Sequence, residues 1–216
     1  ERFAFDRDAV HHWLPADLYA GGAEHATGHL LYARFFTRVL ADAGMIDFRE
    51  PFPVLRSQGV VHASDGRRMS KSRPETVVTP DEVVARYGAD ALRAHVLFIA
   101  PFDANVIWDD SAINGVVRWM GRVRKAVEGK EEGGEGKDGK EGKGDEALRR
   151  GLHRTIRKVS EDVEGLKFNT AIAALMSFTA QMLDAHGQVG SATWQECCEA
   201  LVRLLAPFTP DLADEM

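Results

Sequence analysis

A chain of 216 residues with 44% hydrophobic side chains is long enough to bury one substantial core or two small ones. Its net charge of −6, from 27 basic and 33 acidic residues, argues against binding to nucleic acid through bulk positive charge, so any contact with a polyanion must be local. Cys197 and Cys198 are the only cysteines and are adjacent, which disfavours a disulfide between them and is typical of a reducing compartment. No apolar run reaches membrane-spanning length and no signal pattern opens the chain, so we expect a cytoplasmic protein without membrane contact.

The two ends of the chain have the character of internal sequence. The first residues, ERFAFDRDAV, lack an initiator Met, and the last, PFTPDLADEM, begin a helix after Pro210 that stops within two turns. We therefore expect a fragment or a truncated gene product.

The first half alternates strand and helix patterns. Residues 17–20, DLYA, predict a strand that runs into Gly21 and Gly22, and residues 24–43 predict a helix. Residues 53–62 predict a second strand, and residues 80–98 a helix and its continuation. This alternation favours an α/β layout.

The second half follows a segment without apolar side chains. Residues 128–146 contain seven glycines, eight acidic residues and four lysines, so burial cannot offset the entropy of ordering them and we expect a flexible insert. Around and beyond it, apolar residues recur at helical spacing and predict an all-α bundle. They are Leu152, Ile156, Val159, Val163, Leu166, Ile172, Leu175, Met176, Leu183, Trp194, Leu201, Leu204 and Leu205.

Gly21 and Gly22 stand at a strand-to-helix junction. Paired glycines there let the backbone approach a ligand such as a nucleotide sugar at the carboxyl ends of the strands, where open α/β sheets bind. A simple tight turn is the alternative, because the glycine fingerprint is incomplete. Glu24 would open the helix, whose apolar face comprises Leu31, Tyr32, Phe35, Phe36 and Val39.

His25 and His29 lie four residues apart, which places them on one face of that predicted helix. Such a pair is half of a metal site, but no third ligand is evident and we expect no bound metal. Core or pocket-lining histidines are the favoured interpretation. In a pocket they would hydrogen-bond a small polar substrate above the start of the helix.

A basic loop follows the second predicted strand. Arg67, Arg68, Lys71 and Arg73 lie within seven positions, after the turn signal Asp65-Gly66. A solvated surface loop is the ordinary interpretation of such a cluster. A mobile loop that carries cations also suits a triphosphate, because positive charge placed near the leaving pyrophosphate stabilises the transition state.

The segment RMSKS, residues 68–72, resembles the KMSKS signature of class I aminoacyl-tRNA synthetases. Its surroundings are similar to the leucyl-tRNA synthetase family, in the same order and at similar spacing, over the whole chain except the insert. The matching segments are WLPADLYAGGAEHATGHLLYARFFTRVLADAG, EPFPVLRSQGVV, DGRRMSKS, TPDEVVARYGADALR, APFDANVIWDDSAINGVVRWMGRV and FNTAIAALM.

This resemblance implies two domains and a reaction. Residues 1–110 would be the second half of a Rossmann-type catalytic domain that carries the KMSKS-like loop. Residues 111–216 would be the start of a helical anticodon-binding bundle, incomplete here and carrying the insert 128–146. Enzymes of this family join leucine to ATP and release pyrophosphate, and they then pass the leucyl group to tRNA(Leu). Magnesium accompanies the ATP. We expect a monomer.

The resemblance also implies roles for single residues. Lys71 matches the second lysine of the signature and would be the catalytic residue that stabilises charge on the pyrophosphate side. His25 and His29 match histidines that line the leucine pocket. The positions that match ATP-binding residues are Gly21, Gly22, Glu24, Gln58, Gly59, Val60, Arg68, Met69, Ser70 and Ser72.

The chain departs from the family pattern in two places and lacks two of its parts. Arg68 replaces the usual lysine, which keeps the charge but changes a compact ammonium into a planar fork. RPETVV follows Ser72 where the family commonly has Lys-Gly-Asn-Val-Val, and the proline alters loop closure over ATP. Neither a His-x-Gly-His segment nor the editing domain occurs in these residues, so we expect the chain alone to activate leucine poorly.

Other interpretations remain open from the sequence. Isoleucyl-, valyl- and methionyl-tRNA synthetases share the loop and the bundle, although GGAEHATGHLLYARFF and FNTAIAALM favour leucine. A truncated, non-catalytic paralogue that binds tRNA or a protein partner is a second hypothesis. A generic nucleotide-binding domain would leave the whole second half unexplained.

Overall fold

The predicted succession of an α/β part and a helical bundle is present in the computed structural model, which describes residues 4–129 and 142–216. The chain divides into two units between Val60 and Val61. This division does not coincide with the domain boundary expected near residue 110, which stays a prediction.

Two parallel strands organise the first unit. Its elements in chain order are α1 (Arg7–Trp13), β1 (Tyr19–Gly22), a 3-10 helix (Ala23–Thr27), α2 (His29–Asp42) and β2 (Leu55–Gln58). In the parallel pairing of β1 with β2, Tyr19 lies opposite Leu55 and Gly22 lies opposite Gln58. Parallel strands need a crossover connection, and the 3-10 helix and α2 supply it. The predicted strand therefore includes both glycines.

The helix predicted over residues 24–43 is two elements. Gly28 separates the 3-10 helix from α2 with φ −111° and ψ −110°, far from helical values. His25 and His29 thus do not share one continuous helical face, and that part of the prediction was wrong. The predicted apolar face of α2 is between 46% and 64% exposed at each of its five side chains, because a two-stranded unit offers little surface to cover a helix.

The single strand predicted over residues 53–62 is also two elements. β2 ends at Gln58, Gly59 and Val60 form a connection, and β3 (Val61–His62) pairs in parallel with β4 (Val106–Ile107) in a separate sheet. The prediction of one strand was wrong because a glycine within a strand pattern weakens it and here marks its end.

The second unit begins with β3 and the basic loop, and continues into a helix pair. A 3-10 helix (Pro74–Thr76) is followed by α3 (Pro80–Tyr87) and α4 (Ala89–Phe98). Thr79 caps α3 by accepting a hydrogen bond from the Glu82 amide, and Gly88, at φ +88°, ends it. This confirms the predicted helix and its continuation. A small core cluster under the loop contains Val83, Ala91, Trp108 and Ile113.

The predicted bundle is confirmed. Its helices are α5 (Ile113–Glu128), α6 (Lys143–Glu164), α7 (Phe168–Ala185), α8 (Ser191–Leu205) and α9 (Pro210–Glu215). The largest fully buried side chains of its core include Leu152, Ile172, Leu175, Phe178, Met182, Leu201, Leu205 and Phe208. Leu166 lies just beyond α6, at φ +56°. Among residues 4–129 and 142–216, no helix has the length and apolarity needed to cross a bilayer.

Two side chains of α4 fix it to the bundle. The Asp90 carboxylate accepts a hydrogen bond from the Leu212 amide at 2.7 Å, at the start of α9. The Arg93 guanidinium donates two hydrogen bonds to the Pro207 carbonyl, at 2.9 and 3.2 Å. The helix pair that follows the basic loop is therefore connected directly to the turn between α8 and α9.

The flexible insert predicted over residues 128–146 has helical margins. Residues 130–141 lie outside the described residues, while Glu128 ends α5 and α6 begins at Lys143. The Asp145 carboxylate, 6% exposed, accepts hydrogen bonds from the Gly142 amide at 3.0 Å and the Gly190 amide at 2.9 Å. The prediction was therefore wrong for residues 143–146, because a contact 45 residues away orders them.

Candidate nucleotide-binding site

The carboxyl ends of β1 and β2 bring together residues that the sequence placed far apart. Gly22 and Gln58 are register partners at these ends, and Gly21 lies opposite Ser57. Ligands of open α/β sheets bind at this end of the strands. Gly59 and Val60 continue the chain directly beyond β2.

The absence of a side chain at Gly22 matters for the space it leaves rather than for backbone conformation. Its φ of −73° and ψ of 148° suit any residue. A Cβ built on Gly22, however, would collide with the carboxylate of Glu24, which lies over it. A Cβ on Gly21 would meet the Tyr19 ring at 3.4 Å and the His25 ring at 3.8 Å, which are ordinary contacts. Gly22 thus keeps the Glu24 carboxylate close to the end of β1.

The two histidines lie beside this strand end on different elements. His25 is in the 3-10 helix, with its ring next to Gly21, and His29 is the first residue of α2. The Tyr19 hydroxyl and His29 Nδ1 share a hydrogen bond of 2.8 Å. The Tyr19 and Phe52 ring centroids are 4.5 Å apart, and those of His29 and Phe52 are 5.8 Å apart. The Tyr19 hydroxyl therefore fixes the His29 ring through Nδ1, and Nε2 is the ring nitrogen that remains for a ligand.

Tyr19 and Phe52 are site residues that the sequence analysis missed. Tyr19 lies in a predicted strand that was interpreted only through the glycines after it. Its hydrogen-bond partner His29 is ten residues away in sequence. Phe52 stood among prolines in no predicted element. Within the parts of the chain that the structure describes, no group of three or more His, Cys, Asp or Glu side chains could hold a metal ion.

The basic loop of the second unit starts with a closed turn. The Gly66 amide donates to the Ala63 carbonyl at 2.9 Å, and the Ala63 amide donates to the Arg67 carbonyl at 2.8 Å. Gly66 adopts φ +78°, which favours glycine. The Asp65 carboxylate accepts a hydrogen bond from the Arg67 amide at 2.9 Å. The predicted Asp65-Gly66 turn is confirmed.

Residues 68–72 then form one continuous segment. The Met69 side chain is half-buried and packs against the cluster that contains Trp108. The Ser70 and Ser72 hydroxyls share a hydrogen bond of 2.9 Å, and the Ser72 amide donates to Ser70 Oγ at 3.3 Å. Lys71, between the two serines, is exposed. Met69 thus anchors the loop to the core cluster, while Lys71, the lysine named from the sequence, is exposed to solvent.

Comparison with known proteins identifies the family. The family described as tRNA synthetases class I (I, L, M and V) matches residues 3–109, and the anticodon-binding domain of tRNA ligase matches residues 145–216. The chain is 46% identical over 216 residues to the leucine–tRNA ligase of Rubrobacter xylanophilus. The chain belongs to the leucyl-tRNA synthetase family of class I. It is also 43% identical over 222 residues to the leucine–tRNA ligase of Thermotoga maritima.

Solved structures agree with the assignment to the leucyl-tRNA synthetase family. A ternary complex of Agrobacterium radiobacter LeuRS with tRNA and LeuAMS aligns with a TM-score of 0.87 at 38% identity, covering 98% of this chain and 28% of that one. A methionyl-tRNA synthetase of Mycobacterium tuberculosis bound by methionyl-adenylate aligns with a TM-score of 0.73 at 19% identity, which shows a shared fold.

The match to the leucyl-tRNA synthetases is partial in length. The chain is covered completely by its alignment with the Rubrobacter enzyme but spans 26% of that enzyme, and it spans 27% of the Thermotoga enzyme. The two family matches leave residues 110–144 between them, a stretch that includes all of α5 and all but the last two residues of the insert.

Proposed function

We propose that this chain carries the KMSKS-like half of the ATP site and part of the tRNA-binding bundle of a leucine–tRNA ligase. The reaction joins the leucine carboxylate to the α-phosphate of ATP, with pyrophosphate as the leaving group. The leucyl group of the adenylate then passes to the terminal ribose of tRNA(Leu). We further propose that the protein acts in the cytoplasm as a monomer.

One observation carries the proposal. Gly22, Glu24 and Gln58 lie together at adjoining strand ends, in a chain that matches leucine–tRNA ligases over its full length. The Glu24 carboxylate over Gly22 is a hydrogen-bond acceptor suited to ribose hydroxyls, and the absence of a side chain at Gly22 gives that carboxylate room to lie at the strand end. Gly59 and Val60, just beyond β2, offer backbone groups to the adenine.

The basic loop supplies the charge that the first step needs. Negative charge develops on pyrophosphate as the α-phosphate is attacked, and a cation placed there lowers the barrier. The Lys71 ammonium is exposed on the loop and is the group proposed to do this. Arg68 adds a second cation, and Met69, Ser70 and Ser72 hold the segment and offer donors to the phosphate oxygens.

His25 and His29 are proposed to recognise leucine. The Tyr19 hydroxyl fixes the His29 ring through Nδ1, so the remaining nitrogen presents a defined donor or acceptor to the amino acid. Magnesium enters with ATP as part of the substrate. The described residues contain no cluster of three or more ligating side chains, which suits an ion held mainly by phosphates and water.

The test is leucine-dependent exchange of pyrophosphate into ATP by the complete gene product that carries this chain. Lys71→Ala should lower kcat by roughly 100- to 1000-fold, the usual effect of removing one transition-state donor, with the KM for leucine changed only a few-fold. Arg67→Ala is the matched control, because it removes an equal charge from the same loop at a side chain that is 75% exposed. Equal losses in kcat and leucine affinity would refute the role of Lys71. Absence of leucine-dependent exchange in the unmutated protein would refute the proposed function.

A further inference from the structure

Arg73, directly after the signature segment, bridges the two sides of the basic loop. Its Nη1 donates to the Asp65 carboxylate at 3.0 Å, and its Nη2 donates to the Arg68 carbonyl at 2.9 Å. Asp65 belongs to the turn before the segment, and Arg68 is the first residue of the segment. Each terminal nitrogen of the guanidinium thus donates a hydrogen bond within the loop, and the Arg73 side chain is only 31% exposed.

The backbone of Arg73 closes a second connection around Lys71. The Arg73 amide donates to the Ser70 carbonyl at 2.9 Å, which makes residues 70–73 a turn with Lys71 near its tip. Its carbonyl accepts hydrogen bonds from the Thr76 amide at 3.0 Å and the Thr76 hydroxyl at 2.8 Å. Arg73 is therefore held by the residues on both of its sides.

These contacts suggest a structural role for residues 73–78, the RPETVV stretch that departs from the family pattern. Pro74 begins the 3-10 helix that contains Thr76, and its ring disfavours helical backbone at Arg73, which has φ −133° and ψ 71°. The proline that was expected to alter loop closure thus also restricts the backbone of the residue whose guanidinium connects the two sides of the loop.

We infer that Arg73 is a positioning residue that, together with Asp65, holds the Lys71 turn in the geometry used during leucine activation. The inference rests on the function proposed for the loop. Arg73 acts through the loop, because Nη1 and Nη2 each donate a hydrogen bond inside it, to the Asp65 carboxylate and to the Arg68 carbonyl. A preorganised cation contributes to the transition state only if it is held in place before the reaction.

Three substitutions distinguish positioning from direct phosphate binding. Arg73→Lys keeps the charge but has one nitrogen, which cannot span the Asp65 carboxylate and the Arg68 carbonyl. Asp65→Asn removes the charge that holds the guanidinium and leaves Arg73 intact. The double variant Arg73→Lys, Asp65→Asn completes a double-mutant cycle. Arg67→Ala serves as the charge control on the same loop, and it also removes the longer ion pair to Asp65, at 4.0 Å.

Pyrophosphate exchange by the complete gene product should show the coupling. Arg73→Lys and Asp65→Asn should each lower kcat by about 10- to 100-fold, as small misplacements of catalytic groups do, with the KM for ATP within about threefold of the unmutated value. The double variant should be no slower than the slower single variant. A phosphate-binding Arg73 would instead leave Asp65→Asn near full activity, and that result would overturn the inference.

A second readout does not depend on activity. Loosening the loop should speed tryptic cleavage after Lys71 by roughly fivefold or more in both single variants, since cleavage follows local opening. The Arg73–Pro74 bond is itself a poor trypsin site, so changing Arg73 removes no competing cleavage. An unchanged rate of cleavage after Lys71 in the two variants would overturn the positioning role of Arg73, even if the protein had no exchange activity. Absence of exchange in the unmutated protein, by itself, would count only against the proposed function.

Discussion

A buried hydrogen bond in the bundle allows a quantitative test of the structure. The indole N–H of Trp119 on α5 donates to the Thr179 hydroxyl on α7 at 3.2 Å. Thr179 is 0% exposed and Trp119 is 4% exposed, and the Thr179 hydroxyl also donates to the Leu175 carbonyl at 2.8 Å. Thr179→Val keeps the shape of the side chain, so it opens no cavity, but it leaves the indole N–H without a partner.

Leaving a buried donor unsatisfied costs about 1–3 kcal/mol of unfolding free energy. For a unit of this size that corresponds to a fall in Tm of roughly 2–12 °C. Thr179→Ser is the matched control, because it keeps the hydroxyl and removes one methyl group, which costs about 1 kcal/mol. Unfolding of the purified chain in guanidinium chloride, followed by circular dichroism, measures both variants.

The decisive comparison uses Trp119→Phe as a second background. Phenylalanine has no N–H, so Thr179→Val should then cost less than about 0.5 kcal/mol, since both polar partners have been replaced by apolar groups. An equal cost of Thr179→Val in both backgrounds would show that the Trp119 indole does not depend on Thr179, and would refute the reasoning.

Three further predictions concern the first unit and the start of α6. Gly22→Ala should raise the KM for ATP by roughly tenfold, because the added Cβ displaces the Glu24 carboxylate. Gly21→Ala is the control and should have little effect on this KM. Steady-state exchange kinetics measure both variants, and equal effects would contradict the steric argument. Tyr19→Phe should raise the KM for leucine several-fold by freeing the His29 ring, and an unchanged KM would exclude that role. Hydrogen bonds from the Gly190 amide, the Thr193 side chain and the Gly142 amide lower the pKa of Asp145, so the stability it confers is present above the ordinary carboxyl pKa and is lost as pH falls through the lowered value. Tm measured from pH 7 to pH 3 should fall less steeply for Asp145→Asn, and parallel curves would contradict this.

Periodicity and turn chemistry were enough to predict the general architecture. Helical spacing of residues such as Leu152, Leu175 and Leu201 located the bundle, and these side chains are fully buried. The Asp65-Gly66 signal located a turn whose glycine has a positive φ. Gly21 and Gly22 were located at the end of a strand, and the ligand crevice expected there stays a prediction. Patterns of this kind depend on neighbours in sequence, which is why they could be read without a structure.

The errors arose where distant contacts decide local structure. The start of α6 is ordered because Asp145 accepts a hydrogen bond from Gly190 in the α7–α8 connection, and no local pattern reports that pairing. The break at Gly28 was missed because the helix was predicted from the apolar residues that follow Gly28, and residues 24–27 were added to it without such a pattern. Arg73 was counted as one more loop cation, since its partner Asp65 lies eight residues away and only the folded loop brings the two together.

The candidate site could be predicted in its members but not in their arrangement. Gly22 and Gln58 were named separately from resemblance, and their pairing at adjoining strand ends is a result of the parallel register. Tyr19 and Phe52 carry no sequence signal of their own, because their role depends on the rings they contact. Residues that position others are the part of a site that a single sequence reveals least.

The most direct test of the central claim is aminoacylation of tRNA(Leu) by the complete gene product that carries this chain. With ATP present and leucine, isoleucine, valine and methionine each supplied in turn, the account predicts that leucyl-tRNA forms and that the other amino acids are charged poorly. Charging with another of these amino acids in preference to leucine, or binding of tRNA by a folded protein without any charging, would contradict it.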